Sequence, residues 1–216
     1  MNTYSHGQLV LRSLELGELG TNCYIVTDNN SLETILVDPA DSAETIIEVV
    51  NREQLQPISI LLTHGHFDHV LGLLELKLAL DLPVFMHQED NPLLKTAQAS
   101  AQHWLGHSVD PVPNATQNIV EGNTLALGDL TITVLHTPGH TQGSVCLLVQ
   151  DSDEPLALLT GDTVFKNSVG RTDFSYSKPL LLRDSLEKLL RFEDTLSCYP
   201  GHGAPTTIGE IRQFLS

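Results

Sequence analysis

Positive charge is scarce in this sequence. Lysine and arginine total 11 against 27 aspartates and glutamates, a formal charge of −16. No basic stripe is left to neutralise a phosphate backbone, which excludes nucleic-acid binding as the main role. Cysteine is sparse too: Cys23, Cys146 and Cys198 are odd in number and far apart. They sit in apolar runs such as SVCLLV, which argues for small core residues in a reducing compartment, not a disulfide frame or a CxxC site. No window approaches the ~18 apolar residues of a membrane span, and MNTYSHGQLV lacks the basic start and apolar stretch of a secretion signal. A cytoplasmic location is expected. Low-complexity tracts and short-period repeats are also missing. What remains is a 216-residue chain with 41% hydrophobic content, enough for one sizeable core, so a single domain over residues 1–216 is expected.

The hydropathy pattern alternates between strands and helices. QLVLRSLEL, NCYIVT and ETILV read as strands. A helix is expected from Ser42 to about Gln54, with Asp41 and Glu44 as a capping box. ISILLT (Ile58 to Thr63) is apolar almost throughout, as for a strand covered on both faces, and leucines return with helical spacing from His69 to about Leu80. Val84 to Met86 reads as a short strand, and residues 88–118 as an irregular, partly helical segment. Beyond it, TLAL and LTITVL flank Gly128-Asp129, a pair suited to a hairpin. Strands at Ser144 to Val149 and Leu156 to Thr160, a helix at Pro179 to Phe192, the strand LSCYP and a helix capped by Thr207 and Glu210 complete the pattern. Both halves carry an apolar strand ending in aspartate (ILVDP at Asp38, LLTGD at Asp162) ahead of a helix. That repetition predicts an α/β fold of two sheets packed face to face with helices outside, its strand-end loops sharing one edge.

Four potential ligands are crowded just past ISILLT. His64, His66, Asp68 and His69 form HxHxDH, and three imidazoles with a carboxylate behind a buried strand are costly unless a cation satisfies them. In extended backbone alternate residues face one side, so His64 and His66 suit one ion, and Asp68 and His69, past the turn, a second. A catalytic zinc site needs about three protein donors, so others must come from elsewhere. His140 in TPGHTQGS, Asp162 in LLTGDT and His202 in YPGHG each follow a predicted strand. A carboxylate such as Asp162 can bridge two cations ~3.5–4 Å apart. His6, His87, His103, His107 and His136 have no comparable setting and are read as non-ligands.

HxHxDH, TPGHT, TGDTVF and PGHG, in this order, resemble the metallo-β-lactamase superfamily. VGRTDF (Val169 to Phe174) and PGHGAPTTIGE (Pro200 to Glu210) are similar to its glyoxalase II branch, in particular the short single-domain hydroxyacylglutathione hydrolases. The resemblance implies a four-layer αββα sandwich of two mixed sheets flanked by helices. It also implies two divalent ions, zinc in the first instance with iron or manganese as alternatives. One ion would sit on His64, His66 and His140, the other on Asp68, His69 and His202, with Asp162 bridging and Asp38 supporting from behind. A metal-bound hydroxide would then cleave a small-molecule thioester such as an S-2-hydroxyacylglutathione, with Asp68 and Asp162 orienting the nucleophile. Full-length glyoxalase II enzymes continue into a helical domain that contacts glutathione, whereas this sequence ends at Ser216. The substrate wall is therefore expected from Phe165, Arg171, Phe174 and Tyr176, with Trp104 a further candidate. Core packing is the competing role for the aromatics, and a pairing with Asp173 the competing role for Arg171. The rival activities are a mononuclear iron persulfide dioxygenase on His64, His140 and Asp162, and a lactonase or β-lactamase of the same superfamily.

Overall fold

The first strands form an antiparallel meander because their apolar positions recur with the pleat. The computed structural model describes residues 1–216. Strands β1 (Asn2–His6), β2 (Leu9–Leu16), β3 (Thr21–Asp28) and β4 (Glu33–Val37) pair antiparallel in sequence order. Helix α1 (Ala43–Arg52) then carries the chain to β5 (Gln56–Leu61), parallel to β4. Helix α2 (Leu73–Leu80) leads to β6 (Val84–Met86), and α3 (Asn91–Leu105) to β7 (Gln117–Asn118), extending a seven-stranded sheet. The second sheet comprises β8 (Thr124–Leu127), β9 (Leu130–His136), β10 (Val145–Asp151) and β11 (Glu154–Gly161), followed in space by β14 (Ser197–Pro200) and β15 (Thr206–Thr207). A small hairpin, β12 (Val164–Phe165) and β13 (Ser168–Val169), leaves β11, and α4 (Pro179–Leu189) crosses to β14, parallel to β11. Helix α5 (Ile208–Leu215) ends the chain.

Three apolar layers hold four layers of secondary structure together. Leu9, Leu11, Val26, Ile35 and Val37 of the first sheet meet Ile132, Val134, Leu147 and Val149 of the second. Outside the first sheet, Ile25 and Ile60 pack on Ile46 of α1, Leu76 of α2 and Ala97 of α3. Outside the second, Cys146 and Cys198 pack with Leu182 and Leu186 of α4 and Ile211 of α5. Each fully buried branched aliphatic contributes ~1.5–3 kcal/mol. The expected four-layer αββα sandwich of two mixed sheets is therefore the fold observed. The cysteines are free and buried, and no helix is long and apolar enough to cross a membrane.

Several boundaries differ from expectation for local reasons. The Asp41/Glu44 capping box does not form: Ser42 occupies the cap with φ 48° and no side-chain cap bond, while the Asp41 carboxylate accepts from its neighbour's N–H. The helix expected from His69 begins at Leu73. The backbone before it is tied across to the loop after β4, Leu71 N to Ala40 O at 3.2 Å and Gly72 N to Pro39 O at 2.9 Å. Helix α4 stops at Leu189, three residues short of Phe192. The segment at 88–118 contains a 15-residue helix whose buried face is Leu94, Ala97 and Ala101. Two of these three residues are alanines, which give a helix only a weak hydrophobic stripe. Strand β1 carries polar residues and lies at an edge, where the two-residue alternation is weakest.

Candidate metal centre

Parallel pairing puts the C-terminal ends of β4 with β5, and of β11 with β14, side by side. Hydrogen bonds then join the two sheets at this edge: Val145 N to Thr63 O at 2.9 Å, and Asn22 N to Gly201 O at 2.7 Å. His64, Asp162 and His202 leave these strand ends, His140 lies between β9 and β10, and a 3-10 turn at Phe67–His69 swings Asp68 and His69 inward. All seven side chains singled out from the sequence converge here, six of them in two donor groups with Asp162 between. His64, His66 and His140 form one, and Asp68, His69 and His202 the other, the ligand atoms of each within 4.8 Å of one another.

The first group is a cluster of lone pairs with too few protons. His64 Nε2 and His140 Nε2 each lie 3.0 Å from His66 Nδ1. His140 Nδ1 donates to the Arg171 carbonyl at 2.9 Å, so its Nε2 is an acceptor. Thr63 Oγ1 donates to Asp38 at 2.6 Å and accepts from His64 Nδ1 at 3.1 Å, which makes His64 Nε2 an acceptor as well. A single proton on His66 Nδ1 can therefore satisfy only one of its two neighbours. Burial, followed by the neighbouring imidazoles, holds His64 far below the usual histidine range. Burial and then His140 push His66 down to about 3. His64 and His66 are thus neutral at physiological pH, the form in which imidazole binds a metal.

The second group mixes imidazole with carboxylate. His69 Nδ1 donates to Asp38 Oδ2 at 2.9 Å, aiming Nε2 into the site, where it has no hydrogen-bond partner. Asp162 Oδ1 is equally unpartnered and stands 3.5 Å from that nitrogen. Asp162 Oδ2 lies 3.7 Å from both His140 Nε2 and His202 Nε2, between the two groups. Asp68 Oδ2 is 3.2 Å from His202 Nε2 and accepts from Thr21 Oγ1 at 3.0 Å. Burial opposes charge on His69, but Asp68, Asp162 and Asp38 outweigh it and raise this imidazole well above its ordinary value. His202 is also raised, its burial overcome by the bond to Asp68 and by Asp162. Burial works to raise Asp68 and Asp162, yet the facing imidazoles, His69 foremost, keep both below the usual carboxylate range. Gly201 is required here by close approach: a Cβ on it would lie 2.3 Å from Asp162 Oδ1 and 2.8 Å from His69 Cε1. Two buried, unpaired polar atoms and a proton-poor histidine trio are what a pair of cations would satisfy, so the residues present fit the dinuclear centre.

Asp38 approaches His64 and His69 closely enough to form a third geometric group. Its oxygens, however, are taken by Thr63 N at 2.7 Å, Thr63 Oγ1 and His69 Nδ1. It orients ligands from behind, a common arrangement around metal-binding histidines. Above the donors opens a cavity of about 540 Å³, in the range of small-molecule sites. Phe165, Arg171, Phe174 and Tyr176 all line it, with Leu19 at its rim and Leu93, Thr96, Ser100 and Trp104 of α3 forming one wall. Tyr176 Oη is 2.8 Å from His66 Nε2, and burial raises its phenol to about 12. Arg171 grips Asp173 with two bonds of 2.7 and 2.6 Å and stacks 4.4 Å from the Phe174 ring centre. Thr21, Thr63, Asp90 and Thr141, which also shape the site, escaped the sequence reading. Only Asp90, one residue before Asn91-Pro92, carried a local signal, that of a helix start.

Comparisons with known proteins agree with this geometry. An uncharacterized protein of Mycobacterium leprae (strain TN) is 36% identical over 214 residues, 95% of this chain and 97% of that protein. Hydroxyacylglutathione hydrolase GloC of Haemophilus influenzae is 32% identical over 195 residues, 89% of this chain and 90% of the relative. Among solved structures, TTHA1623 in a di-iron-bound form superposes with a TM-score of 0.84 at 35% identity, over 94% of this chain and 98% of that one. The BLEG-1 B3 metallo-beta-lactamase superposes at 0.85 and 33% identity, over 94% and 96%. With the family's sequence pattern matched from residue 16 to 202, this chain belongs to the metallo-beta-lactamase superfamily.

Proposed function

We propose that the chain is a dinuclear metal-dependent hydrolase of thioesters, with S-2-hydroxyacylglutathiones as the reference substrates. His64, His66 and His140 would hold one divalent ion, zinc or iron, and Asp68, His69 and His202 the other, with Asp162 shared. The observation that carries this reading is the pair of donor groups facing one carboxylate, with His69 Nε2 and Asp162 Oδ1 left unpartnered. When bound, such an ion pair supplies a water of near-neutral pKa and polarises a carbonyl oxygen. Asp68 and Asp162, both held below the usual carboxylate range, would accept hydrogen bonds from a water at the centre and orient it toward the substrate carbon. Tyr176 and Phe174, stacked with ring centres 5.2 Å apart, and the α3 wall restrict solvent and orient the acyl group.

A thioester suits these residues better than an amide. An amine leaving group must be protonated, and apart from Asp68 and Asp162 the cavity is lined by no carboxyl group. Tyr176, raised to about 12, is a weak acid. A thiolate needs no proton to leave at neutral pH. The GloC relative, named a hydroxyacylglutathione hydrolase, supports the same choice. The test is a side-by-side assay of glutathione thioesters, lactones and β-lactams with metal analysis of the same sample. Thioester cleavage at about two metal equivalents supports the proposal. Faster lactone or β-lactam turnover would replace the substrate class, and one iron with oxygen uptake on a persulfide would replace the reaction.

A further inference from the structure

One buried carboxylate next to this centre faces no ligand side chain. Asp90 is completely buried, yet its oxygens are fully used. Oδ2 accepts from Gly65 N at 2.9 Å and Thr141 Oγ1 at 2.7 Å, and Oδ1 accepts from Gly143 N at 2.7 Å. Gly65 stands between His64 and His66, and Thr141 follows His140. Asp90 thus joins the two loops that together carry the histidine trio.

We propose that Asp90 is a positioning residue that sets the spacing of His64, His66 and His140, and so the ion affinity of that donor group and not of the other. The fit around it is specific. A Cβ on Gly65 would lie 2.8 Å from the Asp90 carbonyl oxygen, and one on Gly143 would lie 2.7 Å from its Cγ. Both loops therefore close onto Asp90 at distances only glycine allows. Burial raises the Asp90 carboxyl above its ordinary value, and the hydrogen bonds from Thr141, Gly143 and Gly65 oppose that rise, bonds to a charged acceptor being about twice as strong as neutral ones. Asp90 also occupies the N-cap position of α3, but its side chain makes no cap bond. It is spent on the loops instead of the helix. Because Leu93, Thr96, Ser100 and Trp104 follow on that helix, the same residue also fixes the cavity wall relative to the trio. Metal–nitrogen distances are tight at ~2.0–2.1 Å, so a small shift between the loops is costly to a three-nitrogen site. Asp68, His69 and His202 receive no contact from Asp90 and should not register its loss.

The inference rests on the ion pair proposed above, and its test reads metal, not turnover. Metal-loaded wild type and Asp90→Asn are dialysed against graded chelator, and the metal retained is counted together with the melting temperature. Asparagine keeps the shape but turns one acceptor into a donor facing a donor. One metal equivalent should leave Asp90→Asn at 10- to 100-fold lower free chelator, the range for lost support of a metal ligand, while the second leaves where it does in wild type. Should Asp90→Asn not fold, Thr141→Val removes one of the three donors without stranding a charge, and a smaller shift of the same single equivalent is expected. Unchanged release of both equivalents in the folded variant, or a parallel shift of both, overturns the inference alone. Wild-type protein that retains no ion overturns the proposed function and this inference together.

Discussion

Replacing Asp38 should cost nearly as much as the whole fold is worth. Its carboxylate accepts from Thr63 N, Thr63 Oγ1 and His69 Nδ1, at 2.7, 2.6 and 2.9 Å, and it is 1% exposed. In Asp38→Ala all three donors stay buried without a partner, at about 1–3 kcal/mol each, or about 3–9 kcal/mol together. Set against a typical total of ~5–15 kcal/mol, that leaves a protein marginal or unfolded. Asp38→Asn keeps the volume and one carbonyl oxygen; with that oxygen on Thr63 N, the amide nitrogen faces both Thr63 Oγ1 and His69 Nδ1, so two donors are stranded, at about 1–3 kcal/mol each. The same substitution frees the His69 ring, and because a tenfold change in affinity corresponds to ~1.4 kcal/mol, this loss predicts about a 10-fold or greater weakening of metal binding. That agrees with the 10- to 100-fold typical of lost support behind a metal ligand. Urea unfolding of both variants, with metal removed, measures the first effect, and chelator competition measures the second. An Asp38→Ala protein within about 1 kcal/mol of wild type would refute the reasoning, since it would mean those three bonds contribute nothing net.

Asp162→Ala should fold normally while losing at least one metal equivalent and most turnover, because its carboxylate alone lies between both donor groups; unchanged metal content and rate would contradict a shared ligand. Metal uptake should depend on pH unequally. His69 and His202 sit above the ordinary imidazole value and must shed protons to bind, whereas His64 and His66, held below it, need not. Acidification from neutral pH should therefore weaken the Asp68/His69/His202 ion first, read as proton release in titration calorimetry across several buffers; pH-independent uptake at both groups speaks against it. Trp104, 60% exposed, should be replaceable by alanine with a stability change within about 0.5 kcal/mol, as for a surface position. KM should nevertheless rise several-fold at nearly constant kcat, because the ring forms part of the cavity wall; kinetics indistinguishable from wild type would remove α3 from the substrate site.

Ligand chemistry was legible in the sequence because it is local: HxHxDH places four donors in six positions, and His140, Asp162 and His202 each follow an apolar strand. The layered fold was legible for a related reason, since strands such as ISILLT, apolar almost throughout, and the Gly128-Asp129 hairpin are signals carried by neighbouring residues. Helix α3 was not, because alanines supply most of its buried face and alanine scarcely marks a hydrophobic stripe. The support behind the donors was hidden for a deeper reason. Asp38 to His69, Asp90 to Thr141 and Thr21 to Asp68 span 31, 51 and 47 positions in sequence; Asp38 is marked by the apolar strand it ends and Asp90 by a helix start, but neither signal names the partner, and Thr21 and Thr141 carry no local signal. Only closure of the sheets brings them together.

The paired-ion claim is tested most directly by anomalous diffraction at the metal absorption edge, from crystals of the metal-loaded protein. Two peaks ~3.5–4 Å apart are expected, one among His64, His66 and His140 and the other among Asp68, His69 and His202, with Asp162 between them. A single peak, or metal bound away from these seven side chains, would contradict the account.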